Sequence, residues 1–154
     1  MIEEKFYLTK KGLEKIEKEY KELLLLKQEK IHSETPVVFH SEELDTEFVA
    51  FKEDIELIEA RAVDLEYILK HYEIIEPPAK DLQKTVLIGA TIELEVNGQK
   101  DEFSIVGTLE ADPDLGKISN ESPVGRALIG KKEGETATVN SETKTNYKIL
   151  KVKY

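Results

Sequence analysis

Residues 44–72, LDTEFVAFKEDIELIEARAVDLEYILKHY, decide how this chain folds. Leu44, Phe48, Phe51, Ile55, Ile58, Ala62, Leu65, Leu69 and Tyr72 follow one another in steps of four and three without a gap. A sustained seven-residue repeat of this kind marks a coiled-coil seam, because winding to about 3.5 residues per turn keeps one apolar stripe facing a partner helix. The partner lies upstream. Thr9 is a candidate N-cap, followed by Leu13, Ile16, Tyr20, Leu23 and Leu24, with Glu and Lys filling the other faces to about Ile31. Pro36 lacks an amide proton and disfavours helix in the residue before it, so the first helix ends ahead of it. Joined by a short connection, the two helices are expected to fold back as an antiparallel hairpin. Dimerisation through the seam is the alternative.

Downstream the period changes. Pro77-Pro78 is expected to end the second helix and form a stiff hinge. Residues 85–96 (TVLIGATIELEV) read as a strand, Asn97-Gly98 as a tight hairpin turn, and Glu102 to Leu109 as the returning strand. Ser122 is placed to cap a short helix with Pro123 in its first position and Gly130 closing it. Two more strands are expected around Thr136–Asn140 and Thr145–Val152. The predicted class is α+β: a helical hairpin over 1–76 with its tip at about 33–46, a linker over 77–84, and a small antiparallel sheet domain over 85–154.

Composition narrows the function. At 154 residues, 35% charged and 40% hydrophobic, the chain suits a soluble protein with long exposed helices. It has no long apolar run or leader-like start, so a cytoplasmic location without a membrane role is expected. Without cysteine it has no disulfide, thiolate metal site or cysteine nucleophile. Residues 1–76 hold 11 Lys/Arg against 20 Asp/Glu, whereas 77–154 hold 11 against 12. That acidic first half argues against broad binding to nucleic-acid phosphate. It suits either simple solubility or docking on a basic surface of another macromolecule. No phosphate-binding glycine loop, Ser/His/Asp arrangement or HExxH motif supports catalysis by the chain itself.

Several motifs together resemble the Gre transcription elongation factors, of the GreA/GreB type. They are the opening FYLTKKGLEKIEKEYKEL, the helix EFVAFKEDIELIEARAVDLEYIL, the strand VLIGATIELE and, most specific, ISNESPVGRALIGKKEGE. The last is similar to the family's Ser-Pro-x-x-x-x-Leu-Ile-Gly-Lys signature. The resemblance implies an FKBP-like C-terminal domain, without prolyl isomerase activity, that docks on the rim of the bacterial RNA polymerase secondary channel. Ser122, Pro123 and Gly125 would lie near that contact. The alternative for this segment is a capped helix that only closes the sheet. The resemblance also implies a coiled coil entering the channel, where acidic tip residues help hold a second Mg²⁺ shared with the polymerase. The polymerase then cleaves its own backtracked transcript. The chain is accordingly expected to be a monomeric coactivator rather than an enzyme. It would hold no metal tightly alone and meet the RNA 3′ end only within that complex.

The tip departs from the family pattern Gly-Asp-Leu-x-Glu-Asn-Ala-Glu-Tyr. Aligning its final pair on Glu47-Phe48 puts Ser41 and Leu44 where the functional acids stand. Glu42, Glu43, Asp45 and Glu47 remain close by, and Glu42 and Asp45, three apart, can share a helical face. One reading makes Glu42, Glu43 and Asp45 the metal-handling acids, with Glu42 and Asp45 as ligands and His40 as a weaker candidate. The other takes Ser41 as an N-cap whose following glutamates complement the positive end of the helix. The same departure keeps open a cleavage-inactive regulator that occupies the channel and competes with cleavage factors. A coiled-coil adaptor unrelated to polymerase is the third reading. His32 and His71 are expected at the surface.

Overall fold

The computed structural model describes residues 4–33 and 46–154. By their contacts they form two units, Leu13–His71 and Met1–Gly12 with Tyr72–Tyr154. The tip acids Glu42, Glu43 and Asp45, with His40, Ser41 and Leu44, lie outside the described residues.

Helix α1 (Lys10–Ser33) and helix α2 (Thr46–Lys70) form the hairpin. Leu13, Ile16, Tyr20 and Leu23 are half-buried on α1, facing the seam of α2. Lys27 and Lys30 continue the same spacing, so charge replaces apolar contact toward the tip. Their Nζ atoms reach Glu59 Oε1 at 2.7 Å and Asp54 Oδ2 at 3.2 Å. Further along, Arg61 grips Glu19 with Nε to Oε1 at 2.7 Å and Nη2 to Oε2 at 3.0 Å. As the α1 partner advances from 19 to 27 to 30, the α2 partner retreats from 61 to 59 to 54, so the helices run antiparallel. Of the run Leu23 to Leu26 only Leu23 keeps the seam spacing, and the other three are exposed.

The α2 stripe is half-buried or buried from Phe51 through Leu69, but its two described ends differ from expectation. Phe48 and Tyr72 are exposed. Tyr72 has left the helix altogether. The prolines do not end α2: the helix stops at Lys70, where Tyr72–Ile74 (β2) pairs in parallel with Phe6–Leu8 (β1). A short ladder outcompetes a further helical turn, and fully buried Leu8 lies on it.

The sheet unit follows. Thr91–Val96 (β3), Gln99–Val106 (β4), Lys117–Ser119 (β5), Thr136–Asn140 (β6) and Lys144–Lys153 (β7) form five strands in the order β5-β4-β3-β7-β6. All pairs are antiparallel except β4 with β5, a strand that the sequence pattern did not announce. Asn97 and Gly98 make the β3–β4 turn with φ of 53° and 76°, as a two-residue type I′ hairpin requires. The strand expected from Thr85 begins only at Thr91, because Gly89 turns into the left-handed region at φ 91°. The returning strand ends at Val106 rather than Leu109, and Thr108–Glu110 forms a short 3-10 turn. Ile92, Leu94, Ile105, Ala137 and Ile149 point inward from the strands and meet Leu128 of α3 (Pro123–Leu128) and Val86. The class is therefore α+β, a helical hairpin and a mostly antiparallel sheet with one short α-helix.

Candidate functional site

The segment 119–130 is built by a hydroxyl relay. Ser122 Oγ accepts from Gly125 N at 3.0 Å, which caps α3, and donates to Ser119 O at 2.8 Å. Ser119 O also accepts from Ser122 N at 3.1 Å. Thr108 Oγ1 donates to Glu121 Oε2 at 2.9 Å, which leaves Ser119 Oγ to donate to Thr108 across 3.0 Å. Ser119 Oγ in turn accepts from Glu121 N at 3.1 Å. The turn is thus tied on both sides before the helix starts.

Gly125 is buried, and a Cβ there would overlap the Ser119 carbonyl oxygen. No other residue lets α3 approach β5 this closely. Pro123 takes the first helical turn, where a missing amide proton costs nothing. Leu128 anchors the helix in the core, and Gly130, with φ 85°, turns the chain back. Gly130 N then donates to Val86 O at 2.8 Å, and Lys131 O accepts from Val86 N at 2.7 Å. Tyr154 closes the same corner, its hydroxyl accepting from Leu87 N at 2.9 Å and donating to Thr85 O at 2.6 Å.

The structure therefore brings Ser122, Pro123 and Gly125 onto one turn, with Pro123, Glu121 and Arg126 exposed and Gly125 enclosed. Ser119 and Thr108 were not singled out from the sequence. A hydroxyl reaching a remote loop leaves no local spacing to read. A second unread residue is Glu110. Its Oε2 accepts from Thr9 N at 2.7 Å and its Oε1 from Thr9 Oγ1 at 2.6 Å, while Thr9 Oγ1 accepts from Gly12 N at 3.0 Å. Thr9 is the cap that the sequence suggested. The carboxylate that normally comes from the third helical residue arrives instead from 101 residues away. Gly12 leaves it room, since a Cβ would overlap the Glu110 carboxylate.

At the other candidate region, Glu47 is exposed in the first turn of α2. Among the described residues no group of three or more His, Asp or Glu is disposed to hold a metal ion. His32 is exposed, whereas His71 is half-buried with Nδ1 2.8 Å from Tyr67 O. No described helix is long and apolar enough to cross a membrane.

Residues 80–154, the portion that contains this turn, match the family model for the C-terminal part of the transcription elongation factors GreA and GreB. The GreA of Thermomicrobium roseum is 34% identical over 147 residues, covering 94% of each chain. The GreA of Streptococcus pneumoniae serotype 4 is 36% identical over 157 aligned positions, covering 99% of this chain and 98% of that one. The chain belongs to the GreA/GreB family. Among solved structures, GreA factor homolog 1 of Thermus thermophilus aligns over 98% of this chain at 26% identity, with a TM-score of 0.43. In this Gre-family chain the capped α3 turn, Ser122 to Gly130, lies within the matched residues 80–154.

Proposed function

We propose that this chain is a transcription elongation factor that binds bacterial RNA polymerase at the secondary channel and stimulates the polymerase to cleave backtracked RNA. The observation that carries the reading is the relation to GreA proteins at 34% and 36% identity over 94% and 99% of the chain. The α3 turn is suited to docking on the channel rim because hydrogen bonds tie it on both sides. Thr108, Ser119, Glu121, Ser122 and Gly125 are linked by these bonds, which would hold Pro123 and its exposed neighbours ready at little further ordering cost. The chain acts in the cytoplasm as a monomer, is not itself the enzyme, and meets the RNA 3′ end only inside the complex.

The carboxylates of Glu42, Glu43 and Asp45 are hard oxygen donors, which fits Mg²⁺. Glu42 and Asp45 would hold the ion together with ligands from the polymerase. Bound there, the ion supplies positive charge to the oxygens of a phosphodiester under hydrolysis. A second reading is favoured by Ser41 and Leu44, which stand where family acids are expected. It makes the chain a channel occupant that inhibits or competes with cleavage factors.

Docking is tested by titrating labelled chain against polymerase core enzyme. Saturable binding, weakened in Pro123→Asp, is expected, and no binding by the wild-type chain overturns the proposal. The second reading predicts that the chain slows nucleotide addition and blocks cleavage induced by an active factor. RNA shortening by the chain alone excludes it.

A further inference from the structure

We propose that the hairpin carries a docking notch at Ala62 for a basic segment with an apolar tip, contributed by the wall of the polymerase channel. The proposal rests on the polymerase-binding reading above.

At Ala62 the seam of α2 holds a methyl group, where Ile55, Ile58, Leu65 and Leu69 hold branched side chains. The stripe is under-filled there, and a cleft of about 300 Å³ opens between the helices, lined by Tyr20, Leu24, Ile58, Ala62 and Val63. That is the lower end of the range for small-ligand pockets, with room for one or two large side chains. Its apolar edges face water: Leu24 is 41% exposed and Val63 63%. Around the cleft stand Lys27, Glu59 and Glu66. Lys27 is already held by Glu59 at 2.7 Å, and Glu66 holds Lys70 at 2.7 Å, yet both glutamate side chains remain about half exposed at 49% and 47%.

Charge selects the occupant. The described residues of the hairpin, 13–33 and 46–71, contain 8 Lys/Arg and 12 Asp/Glu, a balance of −4. A second copy would bring the same charge to the same place, and nucleic acid would bring phosphates. A basic protein segment meets complementary potential, with its apolar side chain in the notch and its Lys or Arg beside Glu59 and Glu66.

The test measures binding of the full chain to polymerase core enzyme, with thermal melting of every variant. Leu24→Glu and Val63→Glu change exposed positions and should leave the melt unchanged while weakening affinity about tenfold, chiefly through faster dissociation. Ala62→Leu fills the cleft with a residue that a seam accepts, and should weaken binding without added charge. Leu25→Glu, on an exposed position outside the cleft, should bind as the wild type does. Wild-type affinity in Leu24→Glu, Val63→Glu and Ala62→Leu overturns the notch while leaving the functional reading intact. No binding by the wild-type chain overturns both. Self-association of the wild type in sedimentation that Val63→Glu abolishes overturns the assignment in favour of a second copy.

Discussion

Gly125 shows how much of the candidate docking turn rests on single atoms. Its Cα hydrogen faces the Ser119 carbonyl, so Gly125→Ala must push α3 from β5 or break the Ser122 cap. A loss of about 1–3 kcal/mol is expected in denaturant unfolding, the usual cost of overpacking. An unchanged midpoint would contradict the close approach. Glu110→Ala leaves the Thr9 amide without its acceptor and should cost about 1 kcal/mol, the scale of a lost cap, in the same measurement. Tyr154 adds a pH dependence. Burial raises its phenol above the ordinary value of 10.0, opposed by the hydrogen bond from Leu87 N. The folded chain then keeps the proton where the unfolded chain has lost it. The stability contributed by the neutral phenol is complete below about pH 10 and is lost as pH rises through the higher folded value. Tyr154→Phe should lose about 1 kcal/mol at neutral pH and lack that alkaline step, seen by comparing melts of both proteins from pH 8 to 12. Of these residues Ser122 and Thr9 were legible in sequence, because caps have local signatures, whereas the close approach at Gly125 shows only in the structure. Glu110, Ser119 and Thr108 were not, since their partners lie far along the chain.

Elements with strong periods were read closely, and their ends less so. The seam from Phe51 to Leu69 emerged directly from its spacing, and the Asn97-Gly98 turn from its dipeptide. The end of α2 did not, because the pairing of Tyr72–Ile74 with Phe6–Leu8 joins two segments without alternation of their own. Gly89 shortened the expected strand although its neighbours Val86, Leu87, Ile88 and Ala90 are all apolar, and only its positive φ distinguishes it from a residue inside the strand. Lys27 and Lys30 on the seam have a further consequence. They leave the apolar contact concentrated in the half of the hairpin nearer Leu65, which is fully buried. Leu65→Ala should therefore cost about 2–5 kcal/mol and reduce helicity on melting, whereas Lys30→Ala should cost under about 1 kcal/mol. Equal losses would contradict this division.

At the scale of the whole molecule, the Gre-family chain holds a capped α3 turn in one unit and an antiparallel helical hairpin in the other, while Glu42, Glu43 and Asp45 lie outside the described residues. The α3 turn was legible from the sequence because Ser122, Pro123 and Gly130 are local signals for the start and end of a short helix. The tip was legible only as a register problem, since acids three residues apart suit a helix start as well as a metal ion. The activity is decided by RNA length in stalled, backtracked elongation complexes, followed after adding saturating chain with Mg²⁺ titrated. Shortening of the RNA from its 3′ end is expected with the wild-type chain and none with Glu42→Ala combined with Asp45→Ala, which should still bind polymerase. Full-length RNA at saturating wild-type chain and every Mg²⁺ concentration would contradict this expectation.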